Sequence, residues 1–133
     1  MNGKRWKRSK TVVYNISYHF VWCPKYRRKI LVGEVAEQLK KLLLEKASEI
    51  EVEIVQMEIM PDHIHLFVKT VPTNSPHFVV QQLKGYTSRV LREEFPFLKS
   101  RLPSLWTRSY YCESVGHISE ETIRKYIESQ KGK

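Results

Sequence analysis

Two strand-like segments joined by a two-residue turn lie at the centre of this 133-residue chain. Val52 to Met60 is rich in β-branched and other apolar residues, and Pro61-Asp62 marks a tight turn. His63 to Val71 then has the composition of a second strand. We therefore predict an antiparallel hairpin, and any fold of this chain must place these two strands side by side.

A long alternating segment precedes the hairpin. From Val12 to Trp22, apolar residues occupy every second position, which predicts a β-strand that ends at Cys23-Pro24. From Glu34 to about Ile50 the apolar residues recur at helical spacing, which predicts an amphipathic helix lying on the sheet.

The segments after the hairpin predict a second helix, a loop, a further strand and a last helix. Asn74-Ser75-Pro76 combines a polar cap with a proline at the first helical position and predicts the start of a second helix. We expect an irregular loop from Phe95 to Pro103 and a strand from Trp106 to Val115. Ser119 then opens a last helix, whose first turn carries acidic residues at its positive end.

The resulting order of elements is β-α-β-β-α-β-α. It predicts an α+β fold with a ferredoxin-like or RRM-like antiparallel sheet (βαββαβ) and one additional C-terminal helix, which carries a tyrosine. The length suits a single domain over residues 1–133. Within it we distinguish a basic N-terminal arm at 1–10 and the C-terminal helix at 119–130.

The charge of the chain points to a polyanionic partner. Lys and Arg number 23 against 14 Asp and Glu, which gives a formal net charge of +9. Nine of the basic residues lie in two short clusters, residues 1–10 and 25–29. The aromatic residues in or beside these clusters can stack on unpaired bases, namely Trp6, Trp22 and Tyr26. Nucleic acid is therefore favoured over a membrane surface.

Composition also indicates the compartment. No apolar run approaches the ~18 residues that span a bilayer, so we expect no membrane segment and no secretory signal. Cys23 and Cys112 form no CxxC pair and are too few to stabilise a secreted domain. A cytoplasmic protein is expected.

The sharpest local feature is the pair His63 and His65 in the second strand of the hairpin. Residues two apart on a strand point to the same face, so the two imidazoles project together and make half of a metal site. A divalent ion held there could polarise a phosphate. The pair alone is equally compatible with two histidines that hydrogen-bond or stack on RNA.

A second feature lies on the last helix. Tyr126 and Gln130 are four residues apart and so share one helix face with Ile123 and Ile127. Taken alone, this stripe is explained by packing, with Gln130 at its polar end.

Five motifs in order resemble one family. The motifs are Tyr18-His19-Phe20-Val21-Trp22-Cys23-Pro24-Lys25-Tyr26-Arg27-Arg28, Met60-Pro61-Asp62-His63-Ile64-His65-Leu66-Phe67-Val68, Leu83-Lys84-Gly85-Tyr86-Thr87-Ser88-Arg89, Leu105-Trp106 and Glu121-Thr122-Ile123-Arg124-Lys125-Tyr126-Ile127-Glu128-Ser129-Gln130. With them the chain resembles, over nearly its whole length, the HUH-type single-tyrosine transposases of the smallest bacterial and archaeal insertion sequences, the TnpA family.

The resemblance implies roles for four residues. His63 and His65 would be the paired histidines of the HUH motif, Tyr126 the nucleophile and Gln130 the third protein ligand of a metal ion. Two imidazoles and one amide oxygen leave positions open for water and phosphate, which suits Mg²⁺ or Mn²⁺, although imidazole also tolerates Zn²⁺. In the resembled family the enzyme is a homodimer, and the tyrosine of one subunit completes the histidine site of the other.

These roles imply a reaction. Tyr126 would attack a phosphate of single-stranded DNA that carries subterminal hairpins, giving a 5′-phosphotyrosine and a free 3′-OH. The link keeps the bond energy, so rejoining needs no ATP. Basic residues near the strand end and the second helix are candidates for contacts to the DNA backbone, namely Lys25, Arg27, Arg28, Lys84, Arg89 and Arg92.

Two alternatives stay open from the sequence. An RRM-like module could bind single-stranded nucleic acid with the same aromatic and basic residues without cleaving it. A domesticated relative, similar to the REP-associated tyrosine transposases, could process genomic hairpins by the same chemistry. Short hairpins in the flanking DNA would distinguish a mobile element from the domesticated relative.

Overall fold

The computed structural model describes residues 7–8, 13–114 and 120–132. Its strands and helices, in chain order, are β1 Lys7–Arg8, β2 Val13–Tyr14, β3 Ile16–Trp22, a 3-10 turn Lys25–Arg27, α1 Gly33–Glu49, β4 Glu53–Met60, β5 His63–Thr70, α2 Pro76–Glu94, α3 Pro96–Arg101, β6 Tyr111–Ser114 and α4 Glu120–Ser129.

Four of the strands form one antiparallel sheet in the order β4-β5-β3-β6. The hairpin predicted from Pro61-Asp62 is present as β4 and β5. With α1 and α2 as the connecting helices, this order confirms the predicted ferredoxin-like α+β fold. Among the described residues, the short strands β1 and β2 pair with each other and not with this sheet.

The core lies between one face of the sheet and the two long helices. Phe20 and Trp22 of β3 and Ile64 and Leu66 of β5 are fully buried there with apolar residues of α1 and α2. Trp22, expected to stack on unpaired bases, is therefore a core residue and offers no ring to a ligand. Because side chains alternate along a strand, His63 and His65 project to the opposite face. Helix α4 lies against β3, and its Tyr126 packs on that opposite face against Tyr111, which pairs with the buried Val21.

The segment from Phe95 to Pro103, predicted to be an irregular loop, contains the helix α3. Pro96 occupies a first-turn position, and the amide of Leu98 donates to the carbonyl of Phe95 at 2.9 Å. Leu98 is buried and packs this six-residue helix against the core. Because this short helix carries Lys99 and Arg101 on its outer side, its sequence shows no helical spacing of apolar residues.

The predicted strand from Trp106 to Val115 is shorter than expected. Only Tyr111–Ser114 pair along β3, whereas Trp106 makes an isolated bridge with Pro24. Four residues separate Trp106 from Tyr111 but two separate Val21 from Pro24, so the chain bulges by two residues here. Val115 lies outside the described residues.

The first predicted strand is also interrupted. Asn15 separates β2 from β3, and β2 pairs with β1, which is the described part of the basic arm. The rest of that arm and Ser119, predicted to open the last helix, lie outside the described residues. Within the described part of the chain, no helix is long and apolar enough to cross a bilayer.

Candidate active site

His63 and His65 stand side by side at the start of β5. Their ring centroids are 5.1 Å apart, as expected for neighbours on one face of a strand. Asp62 Oδ1 lies 2.8 Å from His63 Nδ1. A carboxylate at Nδ1 fixes the ring orientation and leaves Nε2 available to a ligand, which is a common arrangement behind metal-binding histidines.

The surroundings of His65 keep its ring neutral. Burial lowers the pKa of His65 below its ordinary value, and neighbouring His63 lowers it further. Glu58, directly opposite His65 in the β4–β5 ladder, has the opposite effect and raises the pKa of His65. A neutral imidazole is the form that can bind a metal ion.

Tyr126 lies on α4 and packs against Tyr111 of β6, on the sheet face that also bears these histidines. Its ring centroid is 5.9 Å from that of Tyr111 in β6, and its hydroxyl is 3.0 Å from Ser109 Oγ. Burial raises the pKa of Tyr126 to about 12, and hydrogen bonds to Ser109 and Thr107 work in the opposite direction. The hydroxyl is therefore protonated at neutral pH.

Gln130 shares a partner with Tyr126. The Ser109 hydroxyl donates to Gln130 Oε1 at 2.9 Å, and Gln130 is only 4% exposed. The predicted nucleophile and the predicted amide ligand, one helical turn apart, are thus held by the same serine.

The bulge that carries Ser109 is fixed by a lysine of α2. Lys84 Nζ donates to the carbonyls of Thr107 at 2.6 Å, Ser109 at 3.2 Å and Arg108 at 3.4 Å. Burial lowers the pKa of Lys84 to about 8. Lys84 was predicted to contact DNA, but in this structure its ammonium group holds the loop that positions Tyr126.

Two further contacts tie this loop to α2. Trp106 Nε1 donates to the buried hydroxyl of Thr87 at 3.1 Å, and Arg92 Nη2 donates to the carbonyl of Leu102 at 3.1 Å. The α2 motif and the Leu105-Trp106 motif are therefore in direct contact.

Arg27 connects the histidine pair with α4. Its Nε is 3.1 Å from Asp62 Oδ2, and its Nη1 donates to the carbonyl of Ile127 at 3.2 Å. Glu128 lies 3.7 Å from the same Nη1. Arg27 and Arg92, both predicted to bind DNA, therefore have their guanidinium groups engaged within the protein.

The remaining predicted DNA contacts fall on two surfaces. Lys25 and exposed Arg28 flank the exposed ring of Tyr26, at 5.3 and 5.8 Å from its centroid, close to the histidine face. Arg89 lies on α2, on the other side of the sheet, with Glu93 at 3.8 Å and the Tyr86 ring at 5.7 Å.

Comparison with known proteins places the chain in a family. The family model described as "Transposase IS200 like" matches residues 12–130. The chain belongs to this transposase family. The ISDra2 transposase TnpA of Deinococcus radiodurans is 40% identical over 129 residues, which are 96% of this chain and 92% of that protein. The IS200 transposase of Salmonella typhimurium is 34% identical over 119 residues, 88% of this chain and 78% of that protein.

Solved structures agree with the fold of this transposase. A crystal structure of a Deinococcus radiodurans R1 protein described as a transposase superposes with a TM-score of 0.88 at 36% identity, covering 96% of this chain and 99% of that one. A REP-associated tyrosine transposase bound to a REP hairpin shares the fold, with a TM-score of 0.59 at 11% identity, over 91% of this chain and 67% of that one.

The structure thus groups the predicted residues of the transposase into two halves. His63 and His65 form one half, Tyr126 and Gln130 the other, and Arg27 spans them. In the described ranges, no three or more His, Cys, Asp or Glu side chains are arranged to hold a metal ion. The predicted ligand set, two imidazoles and one amide, is not of that type.

Sequence reasoning gave no role to two residues of the transposase site. Asp62 was interpreted only as a turn residue, although a carboxylate next to a candidate ligand histidine is a usable signal. Ser109 lies in a bulge that no periodicity marks, so nothing in the sequence distinguishes it from other serines.

Proposed function

We propose that this transposase cleaves and rejoins single-stranded DNA at the ends of an insertion sequence, with Tyr126 as nucleophile. The observation that carries the proposal is that α4 packs on the sheet face bearing His63 and His65, with Tyr126 in its last turns. The alternative of a non-catalytic RRM-like module leaves unexplained why the half-buried Tyr126 and the buried Gln130 meet at Ser109.

The histidine pair fits a divalent metal ion, Mg²⁺ or Mn²⁺. His63 Nδ1 is bonded to Asp62, and its other nitrogen, together with neighbouring His65, is available on the same face. Gln130 would add the amide oxygen. A bound ion would polarise the scissile phosphate and offset the charge that develops on its oxygens.

The step assigned to Tyr126 is a transesterification. Its oxygen attacks the phosphorus, the bond from phosphorus to the 3′ oxygen breaks, and the 3′ oxygen takes up a proton as it leaves. The product is a 5′-phosphotyrosine and a free 3′-OH, and the reverse step rejoins the strand without ATP. Because burial raises the pKa of Tyr126 to about 12, its hydroxyl enters the reaction protonated, and a base or the metal ion has to assist the loss of that proton.

The DNA partner and the assembly extend this proposal. Lys25 and Arg28, with Tyr26 between them, lie near the histidine face and suit a single strand, because cations hold its phosphates while the ring stacks on a base. We expect the strand to carry subterminal hairpins. The fold-related REP-associated transposase is described as bound to a REP hairpin.

We also expect a homodimer with active sites shared between subunits, in which α4 of one chain takes the place on the partner's sheet that it has here on its own sheet. Mixing His63→Ala chains with Tyr126→Phe chains tests this sharing. Recovery of adduct formation in the mixture is expected, because one hybrid site would hold an intact pair of histidines and an intact tyrosine. A mixture as inactive as either variant would refute shared sites.

A labelled-strand experiment tests the proposed reaction. Single strands copied from the DNA that flanks the gene are labelled at either end and incubated with protein and Mg²⁺. We expect the 3′-labelled fragment to stay on the denatured protein and the 5′-labelled fragment to be released with a 3′-OH. An absence of any adduct, as the binding module predicts, or equal cutting of duplex DNA would refute the proposal.

A further inference from the structure

Arg27 occupies the space between the histidine pair and the helix that carries Tyr126. Its side chain is only 15% exposed, with Nε on Asp62 at 3.1 Å and Nη1 on the carbonyl of Ile127 at 3.2 Å. A guanidinium is planar and presents its donors in a fixed fork, so it can hold two partners in a defined relation. Both partners here belong to the candidate site.

The backbone at this point is unusual. Tyr26 and Arg27 both have left-handed conformations, with φ of 59° and 52°. Such conformations cost roughly 1–2 kcal/mol for residues other than glycine. They persist where the surroundings determine them, and they concentrate at functional sites. The turn directs the Arg27 side chain inward while Tyr26 is left 39% exposed.

The contact with Asp62 reaches the histidine pair. Asp62 uses one carboxylate oxygen for Arg27 and the other for His63 Nδ1 at 2.8 Å. Arg27 therefore fixes the carboxylate that orients the His63 ring. Partners of this kind behind a ligand change metal affinity by about 10–100-fold when they are removed.

The contact with Ile127 reaches the helix. Ile127 follows Tyr126 directly, and its carbonyl lies at the C-terminal, negative end of α4, where a cation is favourable. Glu128 adds little because it is 65% exposed and 3.7 Å away. The carbonyl of Ile127 is thus the main attachment of Arg27 to α4.

We propose that Arg27 is a positioning residue that couples the docking of α4 to the orientation of His63, and that it does not serve mainly as a contact to the DNA backbone. The inference rests on the proposed function in taking His63 as a metal ligand and Tyr126 as the nucleophile. This coupling is measurable without DNA, because it links two equilibria of the protein itself, the docking of α4 and the binding of a metal ion at the histidines.

The test compares Arg27→Gln with Arg28→Gln in the full chain. Both variants lose one positive charge, but the Arg28 side chain is exposed and, within the described part of the chain, lies against the Tyr26 ring. Hydrogen exchange of the amides from Tyr126 to Gln130 reports on α4 docking, and titration calorimetry with Mn²⁺ alone reports on the histidines.

We expect Arg27→Gln to accelerate exchange about tenfold, the effect of losing one charge-assisted hydrogen bond, and to weaken Mn²⁺ binding about tenfold. Arg28→Gln should change neither value. Arg27→Lys, which keeps the charge and can hold one partner, should lie between wild type and Arg27→Gln, and it serves as the second variant if Arg27→Gln does not fold.

Wild-type exchange and wild-type Mn²⁺ affinity in Arg27→Gln, with weakened DNA binding, would overturn the proposal and make Arg27 a phosphate contact. A change in only one of the two values would remove the coupling. A wild-type protein that binds Mn²⁺ but forms no DNA adduct would instead refute the proposed function and leave this comparison intact.

Discussion

The hydroxyls of Ser109 and Tyr126 lie 3.0 Å apart across the gap between the bulge before β6 and helix α4. The same serine donates to Gln130, so one side chain sets the position of both functional residues on the helix. Lys84 holds the backbone of that serine from the other side. The tyrosine is thus positioned through a chain of contacts that begins on α2.

Ser109→Ala should slow the formation of the DNA adduct by about 3–10-fold, the loss expected from one hydrogen bond. The substitution removes a bond that lowers the pKa of Tyr126 and leaves burial to raise it further. Single-turnover kinetics with saturating DNA measure the effect. Ser100→Ala, on the surface of α3, is the matched control and should react at the wild-type rate. An unchanged or faster rate in Ser109→Ala would contradict the positioning role.

Because of Lys84, the transposase should be more stable at mildly alkaline pH than at neutral pH. Its pKa in the folded state, about 8, is below the ordinary value of 10.5, so the unfolded chain binds more protons between these values. The free energy of unfolding therefore rises with pH between about 8 and 10.5, and this gain is lost as the pH falls back through 8. From pH 7.5 to 8.5 we expect a gain of roughly 0.5 kcal/mol relative to Lys84→Met.

Urea unfolding at the two pH values measures this gain. Lys40→Met, which removes an exposed lysine paired with Glu37, should keep the wild-type dependence on pH. A Lys84→Met protein whose stability follows pH as the wild type does would show that the Lys84 ammonium is not perturbed.

Thr87→Val should destabilise the fold by about 1–3 kcal/mol, because it leaves the buried Trp106 Nε1 without its acceptor. Thr87→Ser keeps the hydroxyl and should cost only about 1 kcal/mol for the missing methyl group. Chemical unfolding distinguishes the two. Equal losses in both variants would mean that the hydrogen bond between α2 and the loop contributes nothing.

Glu51→Gly should stabilise the protein by about 1 kcal/mol. Glu51 follows the end of α1 with φ of 61°, and the amide of Val52 donates to Ala47 at 2.8 Å, as in a helix end that favours glycine. Glu49→Gly, within the last turn of α1, should instead destabilise by up to about 1 kcal/mol. Thermal unfolding of the two variants should shift in opposite directions, and a shared direction would contradict this helix end.

The fold was predictable where periodicity and turn chemistry agree. The Pro61-Asp62 turn, the alternating β3 and the Ser75-Pro76 helix start all correspond to observed elements, and the Ser75 hydroxyl accepts from Phe78 at 3.0 Å. Local patterns failed where a tertiary contact decides the structure. The bulge at Arg108-Ser109 depends on Lys84, which lies more than twenty residues away in sequence.

The candidate site was predictable only in part for the same reason. His63 and His65 share a face because they are two apart on a strand, and Tyr126 and Gln130 because they are four apart on a helix. Arg27 is separated from Ile127 by 100 positions. The Arg27 side chain points inward because of a left-handed turn, which the local conformational preferences of Tyr26 and Arg27 do not predict.

The most direct test of the account is to map the covalent link. The protein is incubated with single-stranded DNA and Mg²⁺, denatured and digested, and the modified peptide is identified by mass spectrometry. We predict a nucleotide on Tyr126, no adduct in Tyr126→Phe, and a retained adduct in Tyr111→Phe, whose ring packs beside it. A nucleotide on another residue, or an adduct that survives in Tyr126→Phe, would contradict the assignment of Tyr126 as the nucleophile.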